Sequence, residues 1–338
     1  MPPALPSEKR TIRSEAGTIL IMRKVLTFTA LVVILMFVGL YYVSGSSPLP
    51  AGVIPSHSAD LKNGEALFHA GGCASCHAAP AGKKCDDPRS KDKTVLSGGR
   101  CLKTKYGIFY VPNISSDALN GIGSLTDIEF ANAMLRGISR RGRHYYPSFP
   151  YTSYSNMTLE DVLDLKAYLG TLPPSKRRGQ AHELAFPYSL RQIVGFWKFL
   201  NFERQKPNYR QYLGSSQLDR GRYLVEGPGH CGECHTPRDA MGALRPELAL
   251  SGAPAATGKG WVPNITPHKS GLKTWSENQI SDLLATGLTP DFDSIGGDMV
   301  AVQENMKEIG ASDRAAIAHY LKSLNPVEGL SPPPKKKK

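Results

Sequence analysis

Apolar residues run without a charge from Val25 to Val43, in the order VLTFTALVVILMFVGLYYV. A helix rises about 1.5 Å per residue, so this segment nearly crosses a bilayer core of about 30 Å. Arg23 and Lys24 precede it, and positively charged flanks stay in the cytoplasm. The pattern predicts a transmembrane helix with the rest of the chain exported. A cleaved signal peptide is the alternative, although its apolar core usually has only about 7–15 residues.

Downstream of this segment, polar and apolar positions follow one pattern twice. Each copy predicts a short helix, a loop, a second helix and a final amphipathic helix. The second helix of each copy begins at a capping box, at Thr126–Glu129 and at Ser276–Gln279. In such a box a hydroxyl and a side chain three residues later satisfy free backbone N–H groups. We interpret the repetition as an internal duplication.

The duplication predicts two tandem all-α domains after a membrane anchor. The predicted order is a cytoplasmic segment (1–24), a transmembrane anchor (25–43), a tether (44–56), a first domain (57–174), a connector (175–215), a second domain (216–326) and a disordered Pro/Lys tail (327–338). Within the connector, Ser189–Phe202 predicts a short amphipathic helix. We expect this helix to pack between the domains, and contact with a membrane or a partner is the alternative.

Each copy also contains one Cys-x-x-Cys-His motif. The motifs comprise Cys73, Cys76 and His77 in the first copy and Cys231, Cys234 and His235 in the second. This spacing is the attachment signature of c-type haem, because two thiols one helical turn apart each form a thioether and the adjacent imidazole binds the iron. Zinc held by four thiols and a thioredoxin-like redox pair are the alternatives. The repetition, the histidines and the predicted export favour two covalently bound haem c groups.

Two cysteines lie outside these motifs, Cys85 and Cys101. In an oxidising compartment an isolated pair of thiols tends to form a disulfide. We therefore predict a disulfide here, and two unpaired thiols are the alternative.

The second axial ligand of each iron is less evident from the sequence. In the second domain Met299 lies in the loop before the last helix, where a methionine ligand approaches the haem, and Met306 is its competitor. The first domain has no methionine in the corresponding loop. Met157 is the candidate there, His144 is the alternative, and an open or weakly ligated iron is the third possibility.

The charge balance limits the possible partners. Lys and Arg number 41 against 29 Asp and Glu, a net charge of +12. Such an excess favours acidic partners or anionic lipid headgroups. No nucleic-acid-binding motif accompanies the charge, so we expect no nucleic acid partner.

Several short motifs carry a family resemblance across about residues 57–326. They are Gly98-Gly99-Arg100, Tyr106-Gly107, Tyr110–Ile114, Gly121-Ile122-Gly123, Arg143–Pro147, Pro150–Tyr154, Gly227–His230 and Gly296–Met299. In these the chain resembles the multihaem cytochrome c subunits of membrane-bound periplasmic dehydrogenases acting on alcohols, gluconate, aldehydes or nicotinate. Three features depart from that pattern: two haem motifs where many relatives have three, Phe149 where many have methionine, and the Cys85/Cys101 segment, which looks like an insertion.

The resemblance implies two class I cytochrome c-like domains and an electron-transfer protein without catalysis of its own. We expect it to be a single-pass protein of the bacterial inner membrane, with its domains in the periplasm. It would relay single electrons from a periplasmic dehydrogenase or a quinol-oxidising complex to a terminal oxidase or a soluble cytochrome. The alternatives are a cytochrome c subunit of a terminal oxidase and a dihaem peroxidase or thiosulfate-oxidising enzyme.

Overall fold

The computed structural model describes the backbone of residues 8–87, 90, 92–202, 214–255 and 260–330, with side chains from residue 20 onward. Parts of the predicted cytoplasmic segment, connector and tail lie outside the described residues, namely 1–7, 203–213 and 331–338. Contacts divide the chain into two units, Met1–Gly45 and Ser46–Lys338. The second unit is compact as a whole, so the contacts do not separate the two predicted domains, whose boundaries remain predictions.

The first unit holds one long helix, α1, Glu8–Val43. Its stretch Leu20–Val43 is long and apolar enough to cross a membrane, with a mean hydropathy of 2.3. The hydroxyls of Thr27 and Thr29 donate to carbonyls four residues earlier in the helix, at 2.8 Å each. The polar groups of these two residues are therefore satisfied within the helix, as an apolar environment requires.

The first half of the second unit is built on two packed helices. Its elements are α2 Leu61–Ala70, α3 Cys73–His77, β1 Cys101–Thr104, β2 Gly107–Tyr110, α4 Asp127–Arg136, α5 Tyr151–Tyr154 and α6 Leu159–Thr171. The predicted capping box at Thr126 and Glu129 is confirmed at the start of α4, and Gly137 ends this helix in the left-handed conformation. Helices α2 and α6 pack against each other and enclose the core of this half.

A connecting segment follows the first half. It contains β3 Glu183–Leu184 and α7 Arg191–Asn201. Strand β3 completes an antiparallel sheet in the order β1-β2-β3. Helix α7 contacts both halves, because Lys198 donates to the carbonyl of Arg136 and the Trp197 indole donates to the carbonyl of Met241 at 3.0 Å.

The second half repeats the order of the first. Its elements are α8 Gln217–Glu226, α9 Gly232–His235, β4 Ala253–Pro254, β5 Trp261–Val262, α10 Glu277–Thr286, α11 Met299–Met306 and α12 Ala311–Ser323. The second predicted capping box is confirmed at Ser276 and Gln279. Helices α8 and α12 pack as α2 and α6 do.

Glycine sets the approach of the packed helices in both halves. A Cβ on Gly64 of α2 would lie 2.2 Å from the Asp164 carbonyl oxygen of α6, and one on Gly221 of α8 would lie 2.0 Å from the Ala316 carbonyl oxygen of α12. Any side chain at either position would force the helices apart. Both halves therefore require glycine at this position, Gly64 and Gly221, because their first and last helices cross with the same close approach.

The prediction of an all-α fold needs correction. Strands β1 to β3 form a small sheet and β4 pairs with β5, so short antiparallel strands accompany the helices. The hairpin turn depends on Gly107, whose φ of 125° other residues rarely adopt. The pattern of Lys103-Thr104-Lys105-Tyr106 lacks the apolar alternation of a half-buried strand, so periodicity did not reveal it.

Candidate functional site

The two Cys-x-x-Cys-His motifs form single helical turns, α3 and α9. In each turn the first thiol, that of Cys73 or Cys231, is half-buried and packs against the core of its half. The second thiol, that of Cys76 or Cys234, is exposed. Each turn thus presents one half-buried and one exposed thiol, neither of them in a disulfide.

The motif histidines are oriented by the same hydrogen bond in both halves. The Nδ1 atom of His77 lies 2.9 Å from the carbonyl oxygen of Pro112, and that of His235 lies 2.8 Å from the carbonyl oxygen of Pro263. Because a carbonyl can only accept, Nδ1 carries the proton and Nε2 keeps its lone pair. In metal-binding histidines, a hydrogen bond from the ring nitrogen that does not bind the metal fixes the tautomer and the orientation of the imidazole.

Burial keeps both imidazoles neutral. It lowers the pKa of His77 to about 4 and also lowers the pKa of His235. A neutral imidazole is the form that binds a metal. At neutral pH both side chains therefore offer a lone pair without first losing a proton.

The loops that carry the proline carbonyls are fixed to the motifs by matching hydrogen bonds. The N–H of Gly98 donates to the His77 carbonyl and that of Gly252 donates to the His235 carbonyl, at 2.8 Å each. Gly98 has a φ of 62°, and a Cβ on it would lie 2.3 Å from the Pro112 carbonyl oxygen. The glycine lets the loop pass close enough for the proline carbonyl to reach the imidazole.

The donor set fits haem attachment better than zinc. Burial, together with the neighbouring cysteine, raises the pKa of Cys73 to about 12 and that of Cys231 to about 12. A structural zinc site needs about four ligands that converge on one point. Within the described residues no group of three or more His, Cys, Asp or Glu side chains could hold a metal ion. The four thiols and two oriented imidazoles match two haem c sites.

The two motif turns are bound to the opposite half of the unit by equivalent contacts. The Asn305 amide of α11 donates to the Ser75 hydroxyl of the first motif at 2.6 Å. The Ser153 hydroxyl of α5 donates to the Glu233 carboxylate of the second motif at 3.1 Å. Ser75 and Glu233 occupy the same position of the two motifs. Each half therefore supplies a segment that clamps the motif of the other.

Aromatic side chains fill the space between the motifs. The carbonyl of Gly71, two residues before the first motif, lies 3.4 Å from the Tyr154 hydroxyl and 3.3 Å from Nε2 of His230. The Tyr154 and His230 rings meet edge to face, with centroids 5.7 Å apart. Burial raises the pKa of Tyr154 well above its ordinary value, and the nearby Cys73, Cys76 and Glu233 raise it further. Tyr154 thus lies within electrostatic reach of both motifs and stays a neutral phenol.

The candidate second ligands lie in different surroundings. Met299 begins α11 half-buried and packs against the core of the second half, while Met306 is buried within that core. Met157 is 1% exposed within the core of the first half. His144 is buried, and its Nδ1 atom lies 3.3 Å from the Lys198 ammonium.

Lys198 is a buried charge beside the candidate ligand His144 that the sequence did not predict. It lies on the helix predicted to be amphipathic, yet it is 1% exposed. Its ammonium donates to the carbonyl of Arg136 at the end of α4 and stands over the rings of Tyr151 and Phe202. A cation at a helix C-terminus is stabilised by the free carbonyls there. The sequence did hold one indication of this burial. Lys198 follows the apolar Val194 by four residues, so the two side chains lie on the same face of the helix.

Cys85 and Cys101 form a disulfide, with Cα atoms 5.1 Å apart. Cys101 is the first residue of β1, and its N–H donates to the carbonyl of Cys85 at 3.1 Å. The bond fastens the loop after the first motif to the small sheet.

Comparison with known proteins places the chain in a family. Residues 61–173 match the cytochrome c family. Over 315 residues the chain is 45% identical to a diheme cytochrome c-type protein of Cereibacter sphaeroides, a match covering 91% of this chain and 100% of the relative.

Two further relatives are components of dehydrogenases. The chain is 36% identical over 279 residues to a nicotinate dehydrogenase subunit of Pseudomonas putida, covering 81% of this chain and 22% of that protein. It is 32% identical over 302 residues to the fructose dehydrogenase cytochrome subunit of Gluconobacter japonicus, covering 88% of this chain and 59% of that protein. The chain thus spans only part of these two relatives.

A match over the whole length of one relative extends the similarity across both motif turns, beyond the single region that the family match covers. The chain carries two covalently bound haem c groups and acts in electron transfer rather than as a catalyst. The geometry of the two motif turns and this full-length similarity together make the chain a member of the dihaem c-type cytochromes.

Proposed function

We propose that this chain is a membrane-anchored relay. It passes single electrons from a periplasmic dehydrogenase or a quinol-oxidising complex to a terminal oxidase or a soluble cytochrome. The observation that carries the proposal is that each motif turn is hydrogen-bonded to the opposite half, Ser75 to Asn305 and Glu233 to Ser153.

The chain's own residues hold and orient the two haems in this proposal. Thioethers would form at the four motif cysteines, the iron would be bound by the motif histidines, and one second ligand would be a methionine. These residues are Cys73, Cys76, His77, Cys231, Cys234, His235 and Met299. Bound haem supplies the one-electron chemistry, and the protein sets its placement and potential.

A contact between the segments that precede the two motifs supports transfer within one chain. Gly71, just before the first motif, meets His230, just before the second. This contact brings the starts of the two motif turns together. A group attached at each turn would have its neighbour within a short distance.

Intramolecular transfer can be tested on the holoprotein, matured in a host that attaches haem c. A photoexcited donor would reduce one haem within microseconds, and absorbance would follow the redistribution of the electron. We expect a redistribution rate that does not change when the protein is diluted. A rate proportional to protein concentration would show exchange between molecules and would contradict the proposed relay.

The donor class is proposed from the relatives, which include cytochrome subunits of fructose, gluconate and alcohol dehydrogenases. Electrons from such a dehydrogenase should reduce the chain's haems when its substrate is added to membranes that contain both proteins. A panel of sugars, sugar acids, alcohols and N-heteroaromatic acids would identify the donor. Membranes lacking this chain serve as the control, and co-purification would distinguish a dehydrogenase from a terminal oxidase as the stable partner.

The anchor is proposed from α1, whose apolar stretch Leu20–Val43 would span the bacterial inner membrane once. The disulfide between Cys85 and Cys101 supports placement of residues 46–338 in the oxidising periplasm. Alkaline washing of membranes should leave the protein in the pellet, with the mass of the uncleaved helix. Release into the supernatant with a mass lacking residues 1–43 would show a cleaved signal peptide instead.

A further inference from the structure

The two halves align residue by residue in the loop before their last helices. The Tyr145 N–H donates to the Gly137 carbonyl at 2.8 Å, and the Ile295 N–H donates to the Gly287 carbonyl at 3.0 Å. Gly137 and Gly287 both end their helices in the left-handed conformation. The hydrogen bonds therefore set the register between the halves independently of sequence similarity.

This register pairs Phe149 with Met299, each four residues after the hydrogen-bonded N–H. Both side chains are half-buried and pack on the core of their own half. The Phe149 ring meets the rings of Tyr145 and Tyr154 edge to face, at centroid distances of 5.9 and 5.6 Å. An aromatic ring thus stands in the first half where the second half presents a thioether.

The methionines of the first half occupy core positions that have apolar counterparts in the second half. Met157 directly precedes Thr158, the N-cap of α6, as Ile309 directly precedes Gly310, the N-cap of α12. Met157 is 1% exposed and Ile309 is 3% exposed. The position is filled by a buried apolar side chain in both halves, which favours a packing role for Met157.

Met134 also has a buried apolar counterpart in the second half. It lies three residues before Gly137, and Leu284 lies three residues before Gly287. Met134 is 7% exposed and Leu284 is 8% exposed, each within the core of its half. Both methionines of the first half therefore replace aliphatic side chains.

His144 is committed to the connecting helix. Its Nδ1 atom lies 3.3 Å from the Lys198 ammonium, and its carbonyl accepts from Arg191 at 2.6 Å. The register pairs it with Ser294, which has no ligand character for haem iron. Its surroundings are those of a side chain that fastens α7 to the loop.

We propose that the haem held at Cys73–His77 has no sulfur ligand opposite His77, because Phe149 stands in the place of Met299, and that this haem binds small exogenous ligands such as carbon monoxide or cyanide. Only the haem of the first half would bind such ligands, because Met299 would occupy the equivalent ligand position in the second half. The two haems of one chain would then differ in function, one exchanging electrons only and one also open to small molecules. This deepens the proposed function and rests on it for the attachment of haem at the first motif.

Ligand titration of the holoprotein tests the inference without any activity assay. Carbon monoxide added to the reduced protein, and cyanide added to the oxidised protein, should each bind one of the two haems. Near-infrared magnetic circular dichroism should show one His/Met signature per chain. A wild-type protein with two His/Met signatures, or with neither haem binding carbon monoxide or cyanide, would overturn the inference.

Methionine substitutions locate the site. Phe149→Met should abolish the binding of both ligands and add a second His/Met signature. Phe130→Met places the same side chain elsewhere in the same core and should leave ligand binding as in the wild type. Met157→Leu conserves volume in the core and should leave the spectrum unchanged. Loss of a His/Met signature in Met157→Leu would assign Met157 as the ligand and overturn the inference.

The outcomes separate the inference from the proposed function. A protein that redistributes electrons within one molecule but binds neither carbon monoxide nor cyanide contradicts only the inference. A protein without haem at the first motif contradicts both, and the mass of the corresponding peptide would show it.

Discussion

At the scale of single residues, a buried carboxylate ties the start of the first half to its last helix. Asp164 of α6 is 3% exposed and accepts from the Asp60 N–H at 2.7 Å and the Asn63 amide at 2.8 Å. Nε2 of His57 lies 2.6 Å from the same carboxylate. Burial pushes the pKa of Asp164 up, but these hydrogen bonds outweigh it and hold the pKa below its ordinary value.

Asp164→Asn should destabilise the fold by about 1–3 kcal/mol at neutral pH, because buried donors lose a charged partner. A carboxylate with a lowered folded-state pKa stabilises the fold above its unfolded-state pKa of about 3.9, and this contribution is lost as the pH falls through the folded-state pKa. The stability difference between wild type and variant should therefore shrink below about pH 4. Urea unfolding followed by circular dichroism at pH 7 and pH 3.5 would measure it. A difference that is constant with pH would contradict the assigned role.

Other residue roles were beyond the reach of the sequence. Lys198 lies on a helix whose pattern suggested a solvated polar face, and its burial depends on where α4 ends in space. Ser75 and Glu233 are variable positions of a short motif, and nothing in the spacing indicates that Asn305 and Ser153 reach them. Such contacts join residues far apart along the chain, where periodicity carries no information.

At the scale of elements, the crossing of α2 and α6 depends on a bare backbone at Gly64. Gly64→Ala should destabilise the protein by about 1–3 kcal/mol or more, because its Cβ would overlap the Asp164 carbonyl. Gly170→Ala is the matched control, since a Cβ at this helical position would meet no atom within 4 Å. We expect it to stabilise the fold by about 0.5–1 kcal/mol. Thermal unfolding of both variants checks the prediction, and similar unfolding temperatures would contradict the packing argument.

A second prediction at this scale concerns the disulfide between Cys85 and Cys101. Replacing both cysteines by serine should lower the free energy of unfolding by up to about 3 kcal/mol, because the closed loop is short. The haem content should stay unchanged, since neither cysteine belongs to a motif. Denaturant unfolding and haem absorbance of the purified variant would check both expectations. Loss of a haem would contradict a purely structural role.

Elements were predicted from the sequence wherever local chemistry decides them. The helix starts at Thr126 and Ser276 follow from capping boxes and are confirmed. The sheet of β1, β2 and β3 was missed, because β3 joins it from the connecting segment and the hairpin depends on the conformation of Gly107. Strand β3 pairs with β2, which lies more than seventy residues earlier in the chain, and such a distant pairing produces no local sequence pattern.

At the scale of the whole molecule, the basic charge should act on association rather than on the fold. Of the net charge of +12, residues 46–338 carry +9, which would attract an acidic electron donor or acceptor over a distance set by ionic strength. The rate of reduction by an acidic partner that has to diffuse to the chain should therefore fall as salt is raised from about 10 to 150 mM. Stopped-flow reduction at several salt concentrations would measure it. A rate that does not depend on salt would exclude electrostatic steering.

The duplication is the feature of the molecule that the sequence indicated best. Matched pairs such as Gly64 with Gly221 and Gly98 with Gly252 hold equivalent contacts in the two halves. How the halves meet was not predictable, because the clamp of each motif by the opposite half involves α5 and α11, two short helices that the hydrophobic pattern did not indicate. The mutual clamp is nevertheless the arrangement on which the proposed relay depends.

The most direct test of the account is the position of haem on the polypeptide. The holoprotein would be denatured, digested and analysed by mass spectrometry, so that only covalently attached haem remains. We predict two haem-bearing peptides, one containing Cys73, Cys76 and His77 and the other containing Cys231, Cys234 and His235. Haem missing from either peptide, or released from the protein on denaturation, would contradict the central claim.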